Sequence, residues 1–459
     1  MSDMAAVILA AGEGKRMQSG SAKALCQVLF RPMLDWVLDN CRQAGISRTC
    51  VVVGKSAEAV RAILDPSVET ALQAERKGTG HAALCAADFL RSLGEGDVFV
   101  TLGDAPFLFP DVISAAHELH LRERNDMTVI TAVLEDPTGY GRIIRQGNAV
   151  EAIVEQRDAD EAQQAVDEIN SGAFWFRAPA LLEALRQLTP ANSQGEYYLT
   201  DTLKVLREAG KKVGAFRSEN NLCALGANTR RELAALNRIA REQVLDALYD
   251  SGVDIPFPDG VAVDARASVA PGATILPGTL IKGRCIIGRG CVIGPNSVLE
   301  NAVLGENCII NSSYITDSVL GSGVTVGPFS QIRPGCRIAD RVKIGDFVEV
   351  KNSVLGEKTS AAHLTYIGDT DCGAGVNFGC GVVTVNYNGR EKFRTTIGDG
   401  CFVGCNTNLI APVTLGDGAY TAAGSTVTKD VPPDALCIAR VREESILPGR
   451  ASAYRKDKK

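Results

Sequence analysis

Residues 281–300 read IKGRCIIGRGCVIGPNSVLE, and an aliphatic residue returns at every sixth place: Ile281, Ile287, Ile293, Leu299. Toward the N-terminus the same beat takes in Val263, Val269 and Ile275. Toward the C-terminus it slips, returns at Leu304 and Ile310, and runs through Val326, Ile332, Ile338, Ile344 and Val350. A late stretch resumes it at Ile397, Val403, Leu409 and Leu415. Gly often follows the aliphatic, and a small or branched residue often stands four places after it, as at Cys285, Cys291, Ser297, Cys308, Ser330, Cys336, Val342 and Cys401. Six residues to a side and three sides to a coil describe a triangular parallel β-helix. The aliphatic points inward, Gly lets the chain turn, and the small residue fills the remaining interior. About 24 hexapeptides predict about eight coils and a prism of about 40 Å at strand spacing.

The rest of the composition agrees with a narrow core. Aromatics are only 5% of 459 residues while Gly numbers 46. Fourteen cysteines are scattered, with no CxxC and no Cys/His cluster of zinc spacing, so reduced, packed thiols of a cytoplasmic protein are expected. The net charge of −6 offers no basic face to neutralise phosphates, which excludes nucleic acid as the main partner. No apolar run reaches the roughly 18 residues of a membrane span, and MSDMAAVILAAGEGKRM lacks the basic start of a signal peptide.

The repeat reads as interrupted between Ile367 and Ile397 by a polar, basic stretch containing Asn377, Asn386, Tyr387, Asn388, Arg390, Lys392 and Arg394. A loop thrown out of a regular prism serves a ligand or a neighbouring subunit. His363 stands just before it. Arg333 and Lys351 lie one coil apart and should stack on adjacent turns of one face. Together these make a cationic pocket beside a proton acceptor, as a phosphorylated amine substrate requires.

The first 220 or so residues alternate strand and helix patterns, an α/β domain with a mostly parallel sheet. Its first strand runs into Leu9-Ala10-Ala11-Gly12-Glu13-Gly14-Lys15-Arg16-Met17, a Gly-rich turn whose N–H groups can cradle phosphates with Lys15, Arg16 and Lys23 nearby. It is neither a Walker loop nor a dinucleotide fingerprint. The strand DVFVTLGDAPF ends in Asp104, placed where open α/β sheets bind ligands and suited to holding Mg²⁺ beside a triphosphate.

In order along the chain, LAAGEGKRM, Lys23, LQAERKGTGHA, LGDAPF, PTGYGRI, IVEQRD, EINSG and SENN, then RPG, VEVK, HLTYIGD, GVNFG, NYNGREKF and ARV, resemble the bifunctional N-acetylglucosamine-1-phosphate uridylyltransferase/glucosamine-1-phosphate N-acetyltransferase family. The resemblance covers nearly the whole chain. It implies a Rossmann-like nucleotidyltransferase domain (1–222), a linker helix (223–250), and a left-handed parallel β-helix of hexapeptide repeats (251–459). UTP and its sugar nucleotide would meet Leu9, Ala10, Ala11, Gly12, Leu102 and Gly103. Within that set Gln73, Gly78 and Thr79 would read uracil, Gly141, Glu155 and Asn170 the sugar, and Lys23 and Arg16 the phosphates. Asp104 and Asn220 would bind Mg²⁺. Arg333, Lys351, Tyr366, Asn377 and Lys392 would hold glucosamine 1-phosphate, and His363 would take the amine proton. Cys380, Asn386, Tyr387, Cys405, Ala423 and Arg440 would contact acetyl-CoA, between subunits of a homotrimer. The chain departs from the family at Leu102, where Tyr is usual, at Leu222, where Arg is usual, and at Cys380 and Cys405, where Ala and Ser are usual.

The stretch NTRRELAALNRIAREQVLDALYDSG places Leu233, Leu236, Ile239, Val244 and Leu248 on one helical face. Two further readings differ in class: a single-activity sugar-nucleotide pyrophosphorylase with a regulatory β-helix, and a non-enzymatic trimerisation prism. His363 and the basic insertion argue against the first, because a passive scaffold needs neither; the second predicts that His363→Ala leaves every activity intact.

Overall fold

The computed structural model describes residues 4–14 and 22–441, in two compact units that meet between Ala240 and Arg241. Lys15, Arg16 and the basic C-terminal tail lie outside the described residues.

The first unit is built on one mixed sheet. Its strands are β1 (Ala5–Leu9), β2 (Arg48–Val53), β3 (Glu69–Leu72), β4 (Asp97–Leu102), β5 (Met127–Val133), β6 (Arg142–Gln146), β7 (Ala149–Val154), β8 (Glu168–Arg177) and β9 (Val213–Arg217). The order across the sheet is β9-β5-β8-β4-β1-β2-β3, with β6 and β7 forming a hairpin beside β8. All neighbours along that path are parallel except the two pairs made by β8. Strands β1 and β4 are central and covered on both faces, so AAVIL and DVFVT read as continuous apolar runs rather than alternating ones. Strand order reverses around β1, and the crevice beyond the ends of β1 and β4 is the switch point where such sheets bind ligands.

The second unit is a three-sided parallel β-helix. Its first side has ten strands, from Ala262–Val263 to Thr426–Val427; its second has nine, from Ser268–Val269 to Val413–Leu415; its third has ten, from Thr274–Ile275 to Leu436–Cys437. The six-residue beat is the core: Ile281, Ile293, Leu299, Ile332 and Val350 are all buried, and Cys285, Cys291, Cys308, Cys336 and Cys401 fill the gaps between them. The prism is longer than the hexapeptide count predicts, about ten layers instead of eight. Ile315 and Leu320 carry the ladder through a slip, because corners one residue shorter still close the coil: Leu299 pairs with Ile315, and Leu304 with Leu320.

The expected interruption at 367–397 is also narrower. Strands Thr370–Cys372, Asn377–Phe378 and Val383–Val385 keep the ladder going, with Cys372, Phe378 and Thr384 in the interior. Only residues 386–394 leave it, so that Cys372 pairs with Ile397.

The long helix spans Arg230–Asp250, so it starts later than the expected 223, where a 3-10 turn (Asn221–Ala224) stands. Thr229 Oγ1 accepts from Glu232 N at 3.2 Å and Glu232 reaches back to Asn228 N, a capping-box arrangement that fixes the start. Leu233, Leu236 and Leu248 are buried, as is Leu245, which with Leu248 joins the prism core, while Ile239 and Val244 are half-buried.

Candidate functional sites

Leu9 and Leu102 end adjacent parallel strands, and the chain leaves both as small residues because the backbones converge. Gly103 N donates to Leu9 O at 2.9 Å, and a Cβ on Gly103 would stand 3.1 Å from that of Ala10. The crevice is lined by Leu9, Ala10, Ala11, Gly12, Lys23, Gln73, Gly78, Thr79, Leu102, Gly103 and Asp104, with Arg76 and Glu196. Gly78 has φ +105°, and any Cβ there would lie 2.4 Å from Tyr197 O, so only glycine fits. Gln73 is buried; its Nε2 donates to Gly78 O at 3.1 Å, which leaves Oε1 as an acceptor. Thr79 Oγ1 accepts from Leu199 N at 3.0 Å and keeps its proton to donate.

A contiguous pocket shares Lys23, Thr79, Leu102 and Asp104 and adds Tyr140, Gly141, Glu155, Asn170 and Asn228. Asn170 is delivered by an irregularity in β8 between Asn170 and Phe174, where Gly172 takes φ +80°. Burial pushes the Glu155 carboxyl up, against the hydrogen bond that Thr200 Oγ1 donates to its Oε1 at 3.0 Å. A Cβ on Gly141 would stand 3.5 Å from both Glu155 oxygens, so these two expected sugar contacts share one wall.

Asp104 pairs with Lys23, whose Nζ also donates to Asn228 Oδ1 at 2.7 Å. Asn220, expected to join Asp104, is not among the residues that line these two pockets. Its Oδ1 accepts from Leu222 N at 3.1 Å, and Ser218 Oγ bonds both its backbone N and its backbone O. Asn228 is the amide that sequence reasoning missed; its signal was the Gly-Ala-Asn before the helix. A Cβ on Gly226 would meet Asp104 O at 3.0 Å, which is how close that segment runs. Among the described residues no three His, Cys, Asp or Glu side chains form a metal cage. Mg²⁺ does not ask for one, since it takes one or two carboxylates plus substrate phosphates and water. Asp104 with Asn228 Oδ1 fits that demand. Arg76 also escaped notice; its Nη1 holds Glu13 Oε2 at 2.9 Å, and Lys55 stands 3.6 Å from Glu13 Oε1, so an acid within the Gly-rich turn is neutralised from outside.

On the prism, the chain passes from third side to first at His363 and Leu364. Asp346 is the strand partner of His363, and its Oδ1 lies 2.8 Å from His363 Nδ1. That contact holds the Asp346 carboxyl below its ordinary range. With Nδ1 engaged, Nε2 is the acceptor. Tyr366 opens the next first-side strand and lies over Gly368, where a Cβ would strike its ring. Lys351 ends the strand one coil before, and Arg333 N is bonded to Val350 O at 2.8 Å one coil earlier still. Arg333 Nη1 donates to Glu349 Oε1 at 2.8 Å.

The 386–394 excursion is a small hairpin in which Tyr387 bridges Lys392 and Asn386 O accepts from Phe393 N at 2.9 Å. Asn386 is tied to the buried Asp369, and Arg394 to Asp371 at 2.5 Å, which lays the hairpin over the corner after the first side. Lys392 thereby contacts Lys351 and drives its ammonium below the usual lysine range, with Arg333 adding to the effect and Asp369 opposing it. One face is thus bordered by His363 on one edge and by three cations on the other.

Of the remaining expected contacts, Asn377 pairs with Ser360 on the third side, away from Arg333, Lys351 and Tyr366. Cys380, Cys405, Ala423 and Arg440 fall in one column at the corner below His363: Gly381 N bonds Leu364 O, Asn406 N bonds Cys380 O, Gly424 N bonds Cys405 O, and a Cβ on Gly424 would stand 3.9 Å from Arg440 Cδ. Asn386 and Tyr387 lie on a different edge.

Comparison with known proteins agrees with both halves. Residues 6–204 match the MobA-like NTP transferase domain, residues 257–358 the GMPPB C-terminal domain, and residues 394–429 the bacterial transferase hexapeptide (six repeats). The "Bifunctional protein GlmU" of Acetivibrio thermocellus is 45% identical over 444 residues, 96% of either chain. That of Geobacillus thermodenitrificans is 45% identical over 439 residues, 95% of either chain. That of Brevibacillus brevis is 42% identical over 460 residues, the full length of both. At 42–45% identity over 95% or more of its length, the chain belongs to the family of bifunctional GlmU proteins.

Proposed function

We propose that the chain makes UDP-N-acetylglucosamine in two steps at two sites. On the prism, acetyl passes from acetyl-CoA to the 2-amino group of glucosamine 1-phosphate. In the α/β unit, the phosphate oxygen of N-acetylglucosamine 1-phosphate then attacks the α-phosphorus of UTP, and pyrophosphate leaves. The observation that carries the first step is the forced approach of Lys351 and Lys392 beside Arg333: three cations that share only Glu349 and the buried Asp369 leave excess positive charge, which suits a dianion such as a sugar phosphate.

His363 Nε2 takes the amine proton as nitrogen attacks the thioester carbonyl, a role an amine protonated at neutral pH requires. Asp346 holds the ring in the tautomer that leaves Nε2 open. Uridylyl transfer needs no covalent nucleophile, only in-line positioning and charge neutralisation. Gln73, Gly78 and Thr79 would orient uracil, Gly141, Glu155 and Asn170 the sugar, and Lys23 the phosphates. Asp104 with Asn228, rather than Asn220, would hold Mg²⁺, which supplies further neutralisation of the triphosphate when bound.

Acetyl-CoA would lie along the column of Cys380, Cys405, Ala423 and Arg440. Because Asn386 and Tyr387 stand on another edge, copies arranged side by side in a homotrimer would bring both sets to one acyl donor. UTP and acetyl-CoA are small molecules of the cytoplasm, where we place the protein; no helix among the described residues is long and apolar enough to cross a membrane. The test is acetyl-CoA-dependent thiol release with glucosamine 1-phosphate. Wild type should release thiol, and His363→Ala should do so about 10²-fold more slowly or worse. No release by wild type, with UTP-dependent pyrophosphate release intact, would leave a single-activity pyrophosphorylase.

A further inference from the structure

Among fourteen cysteines, ten are buried, and Cys405 alone is exposed. Cys380, half-buried, occupies the adjacent coil at the same corner. Phe378 and Val403 are strand partners, so the register carries Cys380 onto Cys405, and Asn406 N bonds Cys380 O at 2.7 Å. The approach is close: a Cβ on Gly379 would stand 2.6 Å from Cys405 N. Neighbouring strands are spaced about 4.8 Å, inside the Cα separation of about 4.4–6.8 Å that a disulfide spans. Buried cysteines of the prism give their thiols to carbonyls, as Cys291 does to Gly305 O at 3.1 Å and Cys401 to Gly416 O at 3.0 Å. Cys291 and Cys308 also stack on adjacent coils, but inside the prism, where no bulky oxidant reaches them. The Cys380–Cys405 pair is the stacked dithiol that solvent and a small molecule can reach.

Its position is the second observation. The pair lies directly below His363 in the column proposed for the acyl donor, where each turnover liberates a thiol. We infer that Cys380 and Cys405 form a reversible disulfide site, oxidised by a small-molecule disulfide of the CoA type, and that the bridge stops acetyl transfer while leaving uridylyl transfer running. Cys405 sulfur attacks one sulfur of RSSR, forming a mixed disulfide and expelling RS⁻, which takes the proton Cys405 gave up. Cys380 sulfur then attacks Cys405 Sγ and expels the second RS⁻, which takes the proton of Cys380. Two protein thiols are oxidised and one RSSR is reduced to two RSH. Such exchange is gated by thiolate fraction and access rather than by burial.

The effect on acetyl transfer rests on the proposed placement of acetyl-CoA; formation of the bridge does not. The full-length protein is treated with CoA disulfide at neutral pH, then examined by intact mass, peptide mapping and both assays. The expected result is a loss of two hydrogens, a linked Cys380–Cys405 peptide pair, and acetyl transfer lost in proportion to the linked fraction. Dithiothreitol should restore it, with pyrophosphate release constant throughout. Cys405→Ser, whatever its reduced rate, should show no dithiothreitol-reversible loss. Absence of the linked pair, or a linked pair with acetyl transfer undiminished, would overturn the inference. Reduced wild type lacking all acetyl transfer would instead count against the two-step function, and the mass result would still decide the bridge.

Discussion

Lys351 carries its charge against its surroundings: Lys392 contacts it, Arg333 adds to the repulsion, and the buried Asp369 is the nearby counter-charge. A bound sugar phosphate relieves that repulsion, so Lys392→Met should raise KM for glucosamine 1-phosphate about 10- to 100-fold, the worth of one charge-assisted hydrogen bond. An unchanged KM would place the phosphate elsewhere. In the α/β unit, Asn228→Ala should raise the Mg²⁺ concentration needed for pyrophosphate release, and Asn220→Ala should leave it near wild type. The reverse pattern would return Asn220 to the metal. Choosing between these two amides was beyond the sequence, since both precede helical segments; only the fold shows that Asn228 lines the pocket with Asp104 while Asn220 does not. His363, Lys351 and Asp104, by contrast, were legible, because a charge or base on a strict repeat or at a strand end has few places to go.

Asp97 tests the same physics away from either site. Burial opposes its charge, but the hydrogen bond with His117 Nε2 at 3.0 Å, and the His120 ring 3.7 Å from the other oxygen, outweigh that and hold the carboxyl below its ordinary range. A depressed carboxylate contributes stability above its unfolded value of about 3.9, lost as pH falls through that value toward the folded one. Asp97→Asn should therefore cost the first unit about 1–3 kcal/mol near neutrality in urea unfolding, with the gap to wild type closing below about pH 4. A gap that stays constant into acid would remove the carboxylate's charge from the account.

At the scale of elements, the hairpin 386–394 is the one departure from the prism ladder between Val385 and Thr395, and its two legs are fastened by Asp369–Asn386 and Asp371–Arg394. Releasing the second fastening by Asp371→Ala should speed tryptic cleavage at Arg390 and Lys392 and raise KM for glucosamine 1-phosphate by a few-fold, an exposed pair being worth about 0.2–1 kcal/mol. Unaltered cleavage would mean that the hairpin holds without it. The triangular prism was legible in Ile281, Ile287, Ile293 and Leu299 because six-residue spacing has one structural solution. Its full length was not, because Ile315, Leu320, Leu355 and Cys372 sit at shortened corners and break the count without breaking the ladder. The α/β sheet was legible as mostly parallel from its apolar runs. The antiparallel insertion of β8 was not, since a buried strand reads the same in either direction.

At the scale of the whole molecule, the central claim is that two units carry two consecutive reactions whose machinery does not overlap. Residues of the acetyl site lie on the prism, and those of the uridylyl site at the switch point of the mixed sheet. The most direct measurement is UDP-N-acetylglucosamine formation from glucosamine 1-phosphate, acetyl-CoA, UTP and Mg²⁺ by wild type and by His363→Ala, with and without added N-acetylglucosamine 1-phosphate. Without added N-acetylglucosamine 1-phosphate, wild type should form product only when acetyl-CoA is present, and His363→Ala should form it at the wild-type rate once N-acetylglucosamine 1-phosphate is supplied. Undiminished product from glucosamine 1-phosphate by His363→Ala, or failure of N-acetylglucosamine 1-phosphate to rescue it, would contradict the account.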